Sequence, residues 1–208
     1  FGKKIMKFLY ILSNFIFISS SFYSQKYQNE DLGNLIKDYI SVKYPNEVLD
    51  KFIYIGINRQ KIFLFESKNI SQVFNISTSK WGNGNELSSN KTPIGLHFIS
   101  EKIGEGAEIG TLFINKKNTG KVVSIDSSKG ANCDEITTRI MSLSGKQPNF
   151  NKGSSFDTFK RGIYIHGTSD ENSIGYPSSH GCIRMLNQDV IKLFNKIDIG
   201  ISVFLIEN

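Results

Sequence analysis

The sequence predicts a mainly β fold with a few short helices. Short apolar runs of strand length recur from Phe52 onward, and turn residues separate them. Helical periodicity is confined to one segment ahead of these runs and one near the end. At 208 residues there is room for one domain of ordinary size with some flanking chain. A hydrophobic fraction of 39%, with 16 Phe and 8 Tyr, excludes a disordered chain and supplies a core.

Residues 1–24 read as a secretion signal. Lys3-Lys4-Ile5-Met6-Lys7 is a basic start, and Phe8 to Ile18 is an apolar run broken only by Ser13 and Asn14. Ser19-Ser20-Ser21 and Ser24 are small residues suited to cleavage, with Ser24-Gln25 the preferred point. An uncleaved anchor is the alternative, against which the shortness of the run counts. Residues 25–50 form a helical segment: Leu32, Leu35, Ile36, Tyr39 and Ile40 recur at helical spacing, and Pro45 closes them. This amphipathic helix is expected to pack on the main domain, residues 51–208.

Within that domain Phe52–Ile57 and Lys61–Ser67 flank Asn58-Arg59-Gln60, a hairpin signal. Ser71–Ser77 is the next extended run. A Gly- and Asn-rich loop from Ser79 to Lys91 follows, then Thr92-Pro93-Ile94-Gly95 and a strand at Leu96–Ser100. Further strands are predicted at Gly110–Ile114, Lys121–Ile125, Ile136–Leu143 and Gly162–Gly167. Asn187–Ile197 is a helix with Asn187 as N-cap and Val190, Ile191, Phe194 and Ile197 as its buried stripe. Gly200 stops it, and Ile201–Ile206 closes the fold as a strand.

The formal charge is +6, and half of it falls to Lys3, Lys4 and Lys7 of the leader. The remaining excess forms no basic patch with interleaved aromatics, so nucleic acid is not indicated as a partner. It is compatible with an anionic polymer such as a cell wall. Cys133 and Cys182 could pair in an exported chain. The surroundings of Cys182 argue for a free thiol, and Cys133 is read as structural or incidental.

Those surroundings are Tyr164-Ile165-His166-Gly167-Thr168, a polar loop containing Gly175 and Pro177, and Ser178-Ser179-His180-Gly181-Cys182-Ile183-Arg184-Met185. Period-2 alternation sets Tyr164 and His166 on one face of a strand, with Ile163 and Ile165 on the other. The imidazole is thereby expected above the sheet and exposed, with the loop returning Cys182 towards it. A thiol with a free pKa of about 8.5 needs a neighbouring base to become a good nucleophile at neutral pH. The same imidazole can protonate a departing amine. Gly181 lets backbone approach a substrate carbonyl, and N–H groups of the turn can stabilise an oxyanion. Arg184 offers a planar fork for a substrate carboxylate. A zinc site made of His166, His180 and Cys182 is the competing reading; it lacks an evident fourth ligand, and His-x-Cys is an unusual pair.

Ile165-His166-Gly167-Thr168 followed by Ser179-His180-Gly181-Cys182-Ile183-Arg184-Met185 closely resembles the signature of L,D-transpeptidase catalytic domains, the YkuD-like family. Lys91-Thr92-Pro93-Ile94-Gly95-Leu96-His97 resembles the strand opening of the same family, and Asp189–Ile206 its closing helix and strand. The resemblance covers roughly Phe52 to Glu207. It implies a sandwich-like β domain with Cys182 as nucleophile, His166 as base and the Gly167 carbonyl orienting the imidazole. It further implies that His180, Ser179 and Gly181 shape the oxyanion and acyl-donor site. Arg184 and Thr168 then fall on the substrate side, and Tyr164 and His97 line the groove. Thr92, Pro93 and Gly95 match a structural motif.

The implied partners are peptidoglycan peptide stems, with no cofactor and no metal. The implied location is the periplasm or cell envelope, with no membrane span once the leader is removed. The implied reaction releases D-Ala from a tetrapeptide stem through a thioester, passes the acyl group to an amine of a neighbouring stem, and is blocked by carbapenems. No peptidoglycan-binding repeat module is attached. Alternatives are an L,D-carboxypeptidase or hydrolase, in which water is the acceptor, and a non-catalytic wall-binding module. A sortase-like enzyme is disfavoured by the short His–Cys spacing.

Overall fold

The computed structural model describes residues 30–67, 69–125 and 134–208. The leader expected at 1–24 and Cys133 lie outside the described residues. No helix among the described residues is long and apolar enough to cross a membrane. The chain divides into a first unit, up to Leu49 with residues 68–70, and a second unit, Asp50–Ser67 with Ser71–Asn208.

The first unit contains α1, residues 30–43. Ile36 and Ile40 are buried, as is Tyr44 just beyond the helix, four residues on each time. Leu35 and Tyr39, expected on the same stripe, are exposed. The inward face is therefore narrower than the sequence pattern suggested.

The second unit is built on ten strands, the first two residues of β3 being counted with the first unit: β1 (Lys51–Gly56), β2 (Lys61–Glu66), β3 (Asn69–Ser77), β4 (Gly95–Ile103), β5 (Thr111–Ile114), β6 (Lys117–Val122), β7 (Ile136–Gly145), β8 (Tyr164–Gly167), β9 (Ile183–Met185) and β10 (Ser202–Ile206). The helix α2 (Asn187–Lys196) lies between β9 and β10 in sequence. Strand order is β4-β10-β1-β2-β3-β9-β8-β7-β5-β6, and β4 also pairs with β7. That extra pairing, His97↔Gly145 through Ile103↔Ile140, closes eight of the strands on themselves. The mainly β expectation holds, and the two layers of the expected sandwich are opposite walls of one sheet.

The core follows from alternation. Ile53, Ile55, Ile62, Leu64, Ile165, Ile183, Met185, Val203 and Leu205 point to one side, where Val190, Leu193 and Phe194 of α2 join them. Phe52, Phe65 and Phe204 point the other way, with Phe52 stacked on Phe65 at 4.4 Å and edge-on to Phe204 at 5.6 Å. Both faces of β1 and β10 are thus apolar, which is why those strands read as continuous hydrophobic runs.

Two elements differ from the sequence prediction. β6 begins at Lys117 rather than Lys121 because Asn115 and Lys116 both take positive φ (49° and 65°), making a two-residue hairpin turn. β9 was not anticipated. It is three residues long and runs parallel to β8, so no local periodicity announces it.

Candidate active site

The parallel pairing of β8 with β9 builds the site. Ile165 faces Ile183, His166 faces Arg184 and Gly167 faces Met185. Ile165, Ile183 and Met185 enter the core, which leaves His166 and Arg184 together on the opposite face. Cys182 directly precedes β9 and lies level with Tyr164: its sulfur is 3.4 Å from the Tyr164 amide nitrogen and 3.5 Å from the Gly162 oxygen. With neighbouring strands about 4.8 Å apart and a rise of about 3.3 Å per residue, the Cα atoms of Cys182 and His166 are diagonal neighbours at roughly 8 Å. Cys182 is a free thiol.

His166 is not exposed as expected but 1% accessible. The unanticipated β9 sets Arg184 beside it and so covers it. Its Nδ1–H donates to its neighbour's carbonyl, Gly167 O, at 2.7 Å. That carbonyl can only accept, so the neutral ring carries its proton on Nδ1 and its lone pair on Nε2. Burial pushes the His166 pKa down to about 4; the Gly167 hydrogen bond and the Asp134 charge oppose this, and the Arg184 charge adds to it. Burial pushes the Cys182 thiol up to about 12, against the Tyr164 N–H and the charges of Arg184 and Arg161, with Asp134 reinforcing it. The resting pair is therefore a neutral thiol beside a neutral imidazole.

The turn before Cys182 is fixed from three sides. Ser179 Oγ donates to Cys182 O at 2.6 Å and accepts from the Gly181 N–H at 3.2 Å. Thr92 Oγ1 donates to Gly181 O at 3.1 Å and accepts from the Ser79 N–H at 2.9 Å. The amides of Ser178 and Ser179 donate to Thr78 O, continuing the line of β3. Gly181 has φ 122°, and a Cβ there would lie 3.1 Å from Ile163 Cδ1 and 3.3 Å from Lys91 O. Only glycine fits such a position without strain. Arg161 holds that wall: it donates to Lys91 O at 2.5 Å, Gly84 O at 3.0 Å and Ser89 Oγ at 3.3 Å.

Behind His166, Asn187 is a buried hub rather than the N-cap expected of it. Leu186 occupies the cap position, with no side-chain cap hydrogen bond. Asn187 Nδ2 donates to Thr168 O at 2.7 Å and Glu171 Oε1 at 2.8 Å. Its Oδ1 accepts from Thr137 Oγ1 at 2.7 Å and Thr138 Oγ1 at 2.5 Å. A Cβ at Gly167 would sit 2.5 Å from that Oδ1. Gly167 is small because the hub lies against it.

The other predicted residues divide. Tyr164 is half-buried beside the sulfur, and His180 is exposed at the mouth with its ring 4.8 Å from that of Trp81. Thr168 is fully buried, its hydroxyl accepting from the Asp170 N–H at 3.1 Å. His97 is fully buried and does not line a groove: its nitrogens engage Gly95 O at 3.1 Å and Thr158 Oγ1 at 3.0 Å. Arg184 is 1% accessible and its fork is already filled. Nε and Nη2 donate to Asp134 Oδ1, Nη1 donates to Ser178 Oγ at 3.1 Å, and Asp170 Oδ2 lies 3.8 Å away. Sequence reading missed Asp134 and Arg161, and took Asn187 for a cap only. Asp134 lies fifty positions before Arg184 in the chain, and no local pattern marks Asp134 or Arg161.

Residues 50–205 match the family described as the L,D-transpeptidase catalytic domain, and the chain belongs to that family. YqjB of Bacillus subtilis (strain 168), provisionally named an L,D-transpeptidase, is 46% identical over 44 residues, 21% of this chain and 25% of that protein. The crystal structure of an L,D-transpeptidase (residues 123–326) from Xylanimonas cellulosilytica DSM 15894 aligns with 19% identity and a TM-score of 0.48, covering 78% of this chain and 63% of that one. L,D-transpeptidase 3 from Mycobacterium tuberculosis, solved with a faropenem-derived adduct, aligns with 15% identity and a TM-score of 0.48, covering 76% and 60%.

Proposed function

We propose that this chain is an exported peptidoglycan L,D-transpeptidase acting through a Cys182 thioester. The observation that supports this most strongly is that a partly accessible thiol shares a face of the β8–β9 pair with an imidazole whose Nδ1 is committed to Gly167 O, which leaves Nε2 as the proton acceptor. The neutral resting pair asks for proton transfer in step with attack, since a thiolate is disfavoured before substrate arrives.

In the first half-reaction the Cys182 thiol gives its proton to His166 Nε2 while sulfur attacks the carbonyl of the L-centred third residue of a tetrapeptide stem. The Cys182 backbone N–H, in the turn held by Ser179 and Thr92, is the donor offered to the oxyanion, since the Gly181 N–H already goes to Ser179 Oγ. The C–N bond to D-Ala then breaks, and His166 returns the proton to the leaving amine. In the second half-reaction an amine of a neighbouring stem attacks the thioester, the C–S bond breaks, and sulfur regains a proton. Tyr164, Ser179 and Gly181 border the acyl donor. Arg184 acts through Asp134 and Ser178 rather than on a substrate carboxylate. Thr168 and His97 support the walls.

Purified tetrapeptide muropeptides incubated with the enzyme, with products read by mass spectrometry, test the reading. The expected products are 3→3 cross-linked dimers and free D-Ala from the wild type, and neither from Cys182→Ala. Tripeptide monomers without dimers would replace the transpeptidase with a carboxypeptidase. Equal activity in both proteins would remove the nucleophile.

A further inference from the structure

Of the three histidines, His97 and His166 are buried, and only His180 meets solvent, with 43% of its side chain exposed. It stands two residues before the nucleophile, against the half-exposed Trp81 ring, over which Lys80 Nζ lies at 4.4 Å. His180 Nδ1 is 2.9 Å from Asp134 Oδ2, and no hydrogen bond occupies its Nε2 among the described residues. The other carboxylate oxygen of Asp134 takes the Nε and Nη2 donors of buried Arg184. One carboxylate thus ties the outward imidazole to a fixed cation rooted in β9. A surface imidazole held on one nitrogen by so anchored a partner has its second nitrogen presented, which is how a carboxylate prepares a general base.

We propose that Asp134 is a positioning residue which holds His180 as the acid–base group for the incoming acyl acceptor, separate from His166, which serves the donor. This rests on the transpeptidase reading above. The acceptor amine gives up a proton to His180 Nε2 as its nitrogen bonds to the thioester carbonyl. The C–S bond breaks and its electron pair leaves on sulfur, which takes a proton from water to restore the Cys182 thiol, and the hydroxide left is neutralised by the proton that His180 gives back. The division is sensible physically: His166 is buried beside Arg184, whereas an acceptor arriving from solvent meets His180 first. The charged and titratable groups around the pair are Arg184, Asp170 and His166 on the inner side and Lys80 on the outer side. Burial favours protonation of Asp134, but the charge and hydrogen bonds of Arg184, with His166 and His180, outweigh it and hold its carboxyl below the usual range.

The test counts dimers formed per D-Ala released from tetrapeptide stems, with intact mass reporting acyl-enzyme on Cys182. In His180→Gln and Asp134→Asn the ratio is expected to fall about 10- to 100-fold while acyl-enzyme accumulates. Asp134→Glu should recover part of the loss, and the double variant should be no worse than His180→Gln alone. His180→Gln leaves the Asp134–Arg184 pair intact, so it reports even if Asp134→Asn folds poorly. An unchanged ratio in a protein that still acylates would overturn this proposal alone, as would donor and acceptor steps slowing in proportion. A wild type that forms no acyl-enzyme would overturn it together with the reading it rests on.

Discussion

His97 at the start of β4 and His166 in β8 are near-twins in environment. Each is buried, each has its Nδ1 on a backbone carbonyl, and burial pushes each down to about 4. They differ at one nitrogen. His97 Nε2 accepts from Thr158 Oγ1 at 3.0 Å, so its hydrogen bonding is complete within the fold. His166 Nε2 has no hydrogen-bond partner among the described residues, and it shares a face with Cys182. On the proposed function, the lowered pKa therefore does not distinguish the imidazole assigned to proton transfer from the one held within the fold; the uncommitted lone pair does.

The largest effect that could break this contrast is on turnover. His166→Ala is expected to lower turnover on tetrapeptide stems by roughly 10²- to 10⁴-fold, beside a stability loss of about 1–3 kcal/mol for the Gly167 carbonyl it strands. His97→Ala should share the stability loss without the loss of turnover. It strands the Thr158 hydroxyl and the Gly95 carbonyl, costing about 1–3 kcal/mol in denaturant unfolding, and changes turnover by a few-fold at most. A large turnover loss in His97→Ala with stability intact would make the two imidazoles equals.

A second expectation concerns acid. Both folded pKa values lie below the ordinary value of about 6.5, so below that pH the unfolded chain binds protons that the folded chain refuses. The stability each neutral histidine contributes is present above about pH 6.5 and is lost as pH falls towards 4. Replacing either histidine with Gln should flatten the acid limb of stability against pH by one proton's worth, by the same amount at both sites. Unequal flattening would show that the two burials are not alike.

Two smaller effects sharpen the comparison. Thr158→Val removes the partner that completes His97 and should cost about 1–3 kcal/mol with little change in turnover. Thr92→Val removes the hydroxyl that joins the Ser79 amide to Gly181 O, so it should slow acylation several-fold as the Cys182 turn loosens. Steady-state kinetics beside urea melts on the same preparations would show whether these two threonines divide as their histidine and cysteine neighbours do.

What was readable in the sequence was what is local. Cys182, His166 and the Ser179–Gly181 turn lie within one short stretch, and strands such as β1 and β10 announce themselves by their apolar runs. What was not readable depended on partners distant in sequence. β9 is too short to show a period, and its existence rests on β8 alongside. Because β9 was missed, His166 was expected in solvent and Arg184 was expected to offer its fork to substrate. In the structure Arg184 covers the first and Asp134 fills the second. Asn187 looked like a cap because Asn is common there, but tertiary hydrogen bonds to Thr137, Thr138 and Thr168 claimed its side chain.

The most direct measurement is the rate at which Cys182 becomes acylated, followed by intact mass from about pH 5 to pH 10, in the wild type and in His166→Ala. Proton transfer to His166 Nε2 predicts rapid wild-type acylation throughout the neutral range. It also predicts a variant that is slower by a hundredfold or more near pH 7 and recovers steadily as hydroxide begins to ionise the thiol. A variant acylating at the wild-type rate near pH 7 would contradict the pairing of that sulfur with that imidazole.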